Sequence, residues 1–143
     1  MNYGFVKVAA AVPHVKVADC FYNIQQIEGL MRQASQKEVQ IIAFPELSVT
    51  SYTCMDLFSQ ETLLRNAEKA LLDLVNNTAD LDLLTIVGCP LVSGSQLINA
   101  AVAFQRGEIL GVVPRATCQL QRVPRRALVH GLFTPTAIHD HDR

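Results

Sequence analysis

Glu46 is the residue of this chain best placed for chemistry. It follows directly on residues 39–44, VQIIAF, and Pro45, so a carboxylate stands at the end of a segment too apolar to have a wet face. A buried strand is a rigid support, and α/β sheets put their ligand crevices at strand ends. That placement suits a general base. It equally suits a solvated acid that helps close the next turn, and spacing alone leaves both readings open. The four cysteines, Cys20, Cys54, Cys89 and Cys118, are 34, 35 and 29 residues apart, which fits neither C-x-x-C nor a zinc-ligand spacing. Cys20 falls in an expected helix and Cys89 at an expected strand end, where a buried structural thiol is the default. Cys54 lies in the loop after Glu46 and is expected to shape a pocket rather than react. The histidines, His14, His130, His139 and His141, supply no H-E-x-x-H, and the closing His-Asp-His-Asp reads as a solvated tail. No metal site is expected. Neither G-x-G-x-x-G nor G-x-x-x-x-G-K-[ST] occurs, which disfavours a nucleotide-binding domain.

The elements that must position Glu46 follow from periodicity. Residues 5–12, FVKVAAAV, read as a buried strand ended by Pro13. Asp19 is the expected N-cap of a helix in which Ile24, Ile27, Leu30, Met31 and Ala34 share one face. With VQIIAF this makes a strand–helix–strand unit, and buried strands of that kind need helices covering a sheet. A polar loop over 46–56 leads to a second amphipathic helix from about Ser59 to Asn77, with Leu63, Leu64, Ala67, Ala70, Leu71, Leu74 and Val75 inward. Leu83 to Gly88 reads as a third strand. Residues 97–104 and 108–113 read as two more, joined by a hairpin turn at Gln105-Arg106-Gly107. The fold class is therefore α/β, in the order β-α-β-α-β-β-β.

Composition bounds the function. The chain has 143 residues, half of them hydrophobic, and a net charge of −1. It has the apolar surface to fold, and it has no general attraction to nucleic acid or an anionic membrane. No apolar run approaches the ~18–20 residues that cross a bilayer, and no secretory leader is expected. Reduced thiols and a cytoplasmic location are the expectation. A mean hydropathy of +0.21 is high for so small a domain. The charge is uneven: residues 1–114 hold 7 Lys+Arg against 11 Asp+Glu, whereas residues 115–143 hold 5 against 2, all five being Arg. Beyond Pro114 no periodicity is sustained. Val123, Leu128, Val129, Leu132 and Phe133 are scattered among arginines and prolines, and packing is not expected there.

The words around Glu46 add a resemblance. AFPELSVTSYTCMDLF, residues 43–58, resembles the segment around the catalytic glutamate of the nitrilase, or carbon–nitrogen hydrolase, superfamily. The fit is best to the N-terminal glutaminase domain of bacterial glutamine-dependent NAD synthetases. The opening GFVKVAAAVPHVKVADCFYNIQQI, Leu97 to Ala101 and the stretch RGEILGVVPR are similar to the same enzymes, so the resemblance covers residues 4–115. It implies the N-terminal half of a four-layer α-β-β-α sandwich. It also implies a Glu–Lys–Cys triad that hydrolyses an amide, such as that of glutamine, through a thioester. Glu46 would then be the general base and proton shuttle, and Tyr52 a substrate contact. The parent family is oligomeric and delivers its ammonia to an ATP-using synthetase domain; for the present chain no cofactor is expected.

The chain departs from the family twice. Arg115 stands where G-V-V-P-K has its lysine, and a guanidinium has a different reach and lends no proton near neutral pH. The family's cysteine nucleophile lies tens of residues further on, and Cys118, three residues past Arg115, lacks its context. The expectation is residues 1–114 as the N-terminal part of a carbon–nitrogen hydrolase domain and 115–143 as an atypical tail, either frame-shifted or a genuine divergent C-terminus. Synonymous codons for Arg115 onward, with one base restored before them and one a few codons later, read K-S-Y-L-P-N-Y-N-E-F-H-D-A-R-W-F, which resembles the family's continuation. As written, the chain should be inactive and poorly soluble. The competing readings are a stand-alone amidase of the superfamily and a non-catalytic interaction module that pairs through an exposed sheet.

Overall fold

The computed structural model describes residues 4–122, with side chains through Arg115. Asp19 caps α1 (Cys20–Gln36) as its sequence implies: its carboxylate accepts from the Tyr22 N–H at 3.1 Å. Ile24, Ile27, Met31 and Ala34 form the buried stripe of that helix. In α2 (Glu61–Asn77) all seven expected inward residues are buried. That helix starts two residues late, because Gln60 is extended and residues Tyr52–Ser59 wind into a 3-10 segment of their own.

β1 (Val8–Ala10), β2 (Ile41–Ala43), β3 (Leu84–Ser93), β4 (Gln96–Gln105) and β5 (Glu108–Arg122) form one sheet in chain order. β1, β2 and β3 pair in parallel; β3–β4 and β4–β5 are antiparallel. Both parallel crossovers run in the same direction across the sheet, and the usual right-handed connection then puts α1 and α2 on one face. Register identifies that face: Ile42 pairs with Thr85 and Thr85 with Phe104, while Val87 pairs with Val102. All five are at most 1% exposed and make the core with the inward stripes of the helices. Each fully buried aliphatic or aromatic side chain there contributes roughly 1.5–3 kcal/mol.

The opposite face carries Val8, Ala10, Ile41, Ala43, Leu84, Ile86, Gly88, Ala101, Ala103 and Val113 in the same registers. It is apolar and largely open, with Val8 65% exposed. Here the structure corrects the sequence reading. Residues 5–12 were expected to be a buried strand, yet β1 is a three-residue edge, and Phe5, Val6, Val8 and Val12 are exposed. An edge strand has one neighbour, and its outward side chains fall on the helix-free face.

Two further differences concern the hairpins. β3 runs past Gly88 to Ser93, so Cys89 is mid-strand and not at a strand end. A two-residue turn with Gly94 at φ 60° joins it to β4. The β4–β5 turn is the expected one, with Arg106 and Gly107 both at positive φ, as a type I′ hairpin requires. β5 does not stop at Pro114: Gln119, Gln121 and Arg122 pair with Ile98, Leu97 and Gln96. A ladder is made by main-chain groups, so it continues where side-chain periodicity has ended. Pro114 is tolerated because β5 is an edge. The readings of Val123, Leu128, Val129, Leu132, Phe133, His130, His139 and His141 lie outside the described residues, as does the side chain of Cys118.

Candidate active site

The site is built where the chain leaves β2 and crosses the helix-free face. Phe44 N–H still bonds the Ile86 carbonyl at 2.9 Å, and Glu46–Thr50 then turn over β3. The crossing is close. A Cβ added at Gly88 would lie 2.2 Å from the Leu47 nitrogen and 2.9 Å from the Glu46 Cα, so only glycine lets the backbones meet. Gly88 also ties the turn down: its N–H bonds the Ser48 hydroxyl and its carbonyl accepts from Val49 N–H at 3.2 Å.

From the other side, Asn23 of α1 holds the same turn. Fully buried, it donates to the carbonyls of Val49 at 3.0 Å and Lys16 at 2.9 Å and accepts from the Lys16 N–H. Ala18 N–H reaches the Thr50 carbonyl at 2.9 Å. These bonds fix a strained segment, for Leu47, Ser51 and Met55 all have positive φ without being glycine. Such strain collects where surrounding structure over-determines a functional loop.

The Glu46 carboxylate is thereby set over the β3–β4 part of the face. Its Oε1 accepts from two donors, the Asn99 side-chain amide of β4 and Nη1 of Arg115 on β5. Asn99 is 4% exposed, whereas the Glu46 and Arg115 side chains are 37% and 53% exposed. Arg115 reaches the site through an irregularity: between the pairs Ala100–Pro114 and Ile98–Gln119, residues 115–118 stand opposite Asn99 alone. A carboxylate gripped by an amide and a guanidinium, open on one side to solvent, can exchange a proton with a bound molecule.

Of the residues singled out from sequence, Glu46 and Arg115 come together. Tyr52 opens the 3-10 segment that follows the turn and is exposed. Cys20, Cys54 and Cys89 are buried. Burial pushes the Cys20 thiol up to about 11, with the Cys54 thiol next in effect, and it raises Cys54 and Cys89 as well. Cys54 donates to the Thr50 carbonyl at 3.0 Å, bracing the turn after Glu46. Thiols so held are not nucleophiles near neutral pH. Asn99 and Gly88 were missed as site residues. Asn99 had a signal, being the one polar residue inside LINAAVAF; the glycine's partner, 42 residues upstream at Glu46, had none.

The carbon–nitrogen hydrolase profile matches residues 7–134, which runs across Pro114. The chain is 38% identical over 115 residues to a glutamine-dependent NAD(+) synthetase of Mycobacterium tuberculosis, covering 80% of this chain and 17% of that one. To the Mycobacterium leprae protein of the same name it is 35% identical over 132 residues, covering 91% and 19%. The chain thus spans less than a fifth of the length of these curated relatives. Among solved structures, a glutamine-dependent NAD(+) synthetase from Cytophaga hutchinsonii superposes with a TM-score of 0.72 at 21% identity, over 77% of this chain and 19% of that one. A Nesterenkonia amidase of the nitrilase superfamily does so with a TM-score of 0.72 at 16% identity, over 86% and 49%. These last two likenesses establish the shared α/β fold.

Proposed function

This chain belongs to the carbon–nitrogen hydrolase family, and we propose from that premise that it is the amide-hydrolysing, glutaminase part of a glutamine-dependent NAD synthetase, with Glu46 as the group that moves protons. The observation that carries the reading is the hold on Glu46. The carboxylate lies at the end of β2, on the helix-free face, between Asn99 and Arg115. A nearby cation offsets the negative charge that develops on an amide under attack. The substrate class is a small primary amide, glutamine by kinship, with exposed Tyr52 available to touch it. The synthetase over a stand-alone amidase is favoured by the 38% identity over 115 residues to the former. Ammonia release to an ATP-using synthetase domain belongs to the whole-length parent. No helix among the described residues is long and apolar enough to cross a membrane, which suits a cytoplasmic place of action.

Arg115 keeps the positive charge of a lysine but not its compact reach, and a donor displaced by about 1 Å can cost about 100-fold in rate. The reading therefore includes a second part, that residues 115–143 are translated out of frame, and against it stands the family match that runs on to residue 134. Sequencing the gene from the codon of Leu110 onward, followed by a glutamine hydrolysis assay, tests both. The chain as it stands should release no ammonia from glutamine. With lysine and the downstream cysteine restored it should hydrolyse glutamine, and Glu46→Gln should then lower kcat by about 100-fold or more. Hydrolysis indifferent to Glu46→Gln would overturn the role of Glu46. An unbroken reading frame would overturn the tail.

A further inference from the structure

Asn99 sits on the helix-free face of β4 between Leu97 and Ala101, beside Pro90 of β3, with no other polar side chain from either strand next to it. A buried amide in such a place needs a partner. Its partner is Oε1 of Glu46, 53 residues away in the chain. An ionised carboxylate has no proton to give, so the atom turned towards it is the amide nitrogen. Arg115 donates to that same oxygen. Oε1 of Glu46 is therefore held by two donors that come from two different strands.

We propose that Asn99 is a positioning residue that fixes the Glu46 carboxylate in the orientation from which it takes and returns the proton, which rests on the reading of Glu46 as proton carrier. The two donors do not share the task equally. Asn99 is buried on a strand paired on both sides, so its amide is already in place before any substrate arrives. Arg115 is half exposed beside an irregular stretch of an edge strand, where solvent screens its charge. A carboxylate gripped by a fixed amide keeps one orientation through both halves of a two-step hydrolysis, first as acceptor and then as donor.

The hydrogen bond is read without any hydrolysis, in the full chain labelled with 15N, from the side-chain NH2 resonances of Asn99, assigned by their loss in Asn99→Ser. One of the two protons should be displaced downfield and exchange at least about tenfold more slowly than those of exposed Asn76, as a charge-assisted bond requires. Glu46→Gln should largely abolish that displacement and protection, and Arg115→Ala should leave both in place. Neither variant alters Asn99, and Glu46 and Arg115 are exposed enough for the fold to survive their change. Resonances indifferent to Glu46→Gln, or equally disturbed by Arg115→Ala, would overturn the proposal. In the frame-restored chain, Asn99→Ser should lower kcat about tenfold at unchanged KM; a rise in KM at unchanged kcat would overturn it too. If the restored chain hydrolyses nothing while the NH2 displacement persists, it is the proton-carrier reading that falls, and the hydrogen bond from Asn99 stands without it.

Discussion

The two faces of the one sheet differ in nearly everything but hydrophobicity. On the helix side, Ile42, Val87, Val102 and Phe104 lie at most 1% exposed under α1 and α2. Opposite them, Val8, Ala10, Ala101 and Val113 are just as apolar and open. On that second face the polar side chains of the turn after β2 meet Asn99 of β4 and Arg115 of β5. The difference teaches where a fold can keep chemistry. A face sealed by two helices has no room for a carboxylate and its solvent; a face crossed by a single turn does.

The largest expected effect tests the contrast between the two faces directly. Phe104→Ala should cost about 3–5 kcal/mol through lost burial and a cavity, read by denaturant unfolding. Val8→Ser, on the open face, should change stability by no more than about 0.5 kcal/mol. Equal losses would mean that both faces are covered in solution.

Next in size is Gly88→Ala, which sharpens the role of the crossing. Its added methyl would meet main-chain atoms of Glu46 and Leu47, which cannot swing aside as a side chain can. A loss of about 1–3 kcal/mol is expected, with backbone resonances of residues 46–50 displaced and those of α1 and α2 unmoved. A silent substitution would show that the turn does not lie on β3.

The smallest effect is a pH dependence on the helix side. Burial raises the Cys20 thiol to about 11 in the folded chain, and Cys54 and Cys89 also rise. The folded state thus keeps thiol protons that the unfolded state gives up first, so unfolding becomes easier with alkali. Stability should be constant below the ordinary thiol range and fall as pH rises through it towards 11. Thermal melts between pH 7 and 10 would show a declining Tm, and Cys20→Ala should flatten the decline.

Much of the fold was legible in residue order. The stripe Ile24, Ile27, Met31, Ala34 and the stripe from Leu63 to Val75 repeat at the helical period, and Asp19 can cap only the helix that follows it. VQIIAF reads as a strand, and Glu46 stands at its end whatever the rest of the chain does. Strand limits were less legible. The reach of β5 to Arg122 depends on what β4 offers as a ladder, and the exposure of Val8 depends on β1 being an edge.

The sequence by itself determined the two amphipathic helices, the order of strands and helices, and the carboxylate at the end of β2, because each rests on interactions within a few residues of chain. Only the tertiary structure decided that Glu46 is held by Asn99 and Arg115, 53 and 69 residues away. The same holds for Gly88, which must be glycine because the Glu46–Leu47 backbone passes over it. Contacts between distant residues are fixed by sheet register and by which face the crossovers cover. Those are properties of the assembled sheet, and no single stretch of the chain contains them.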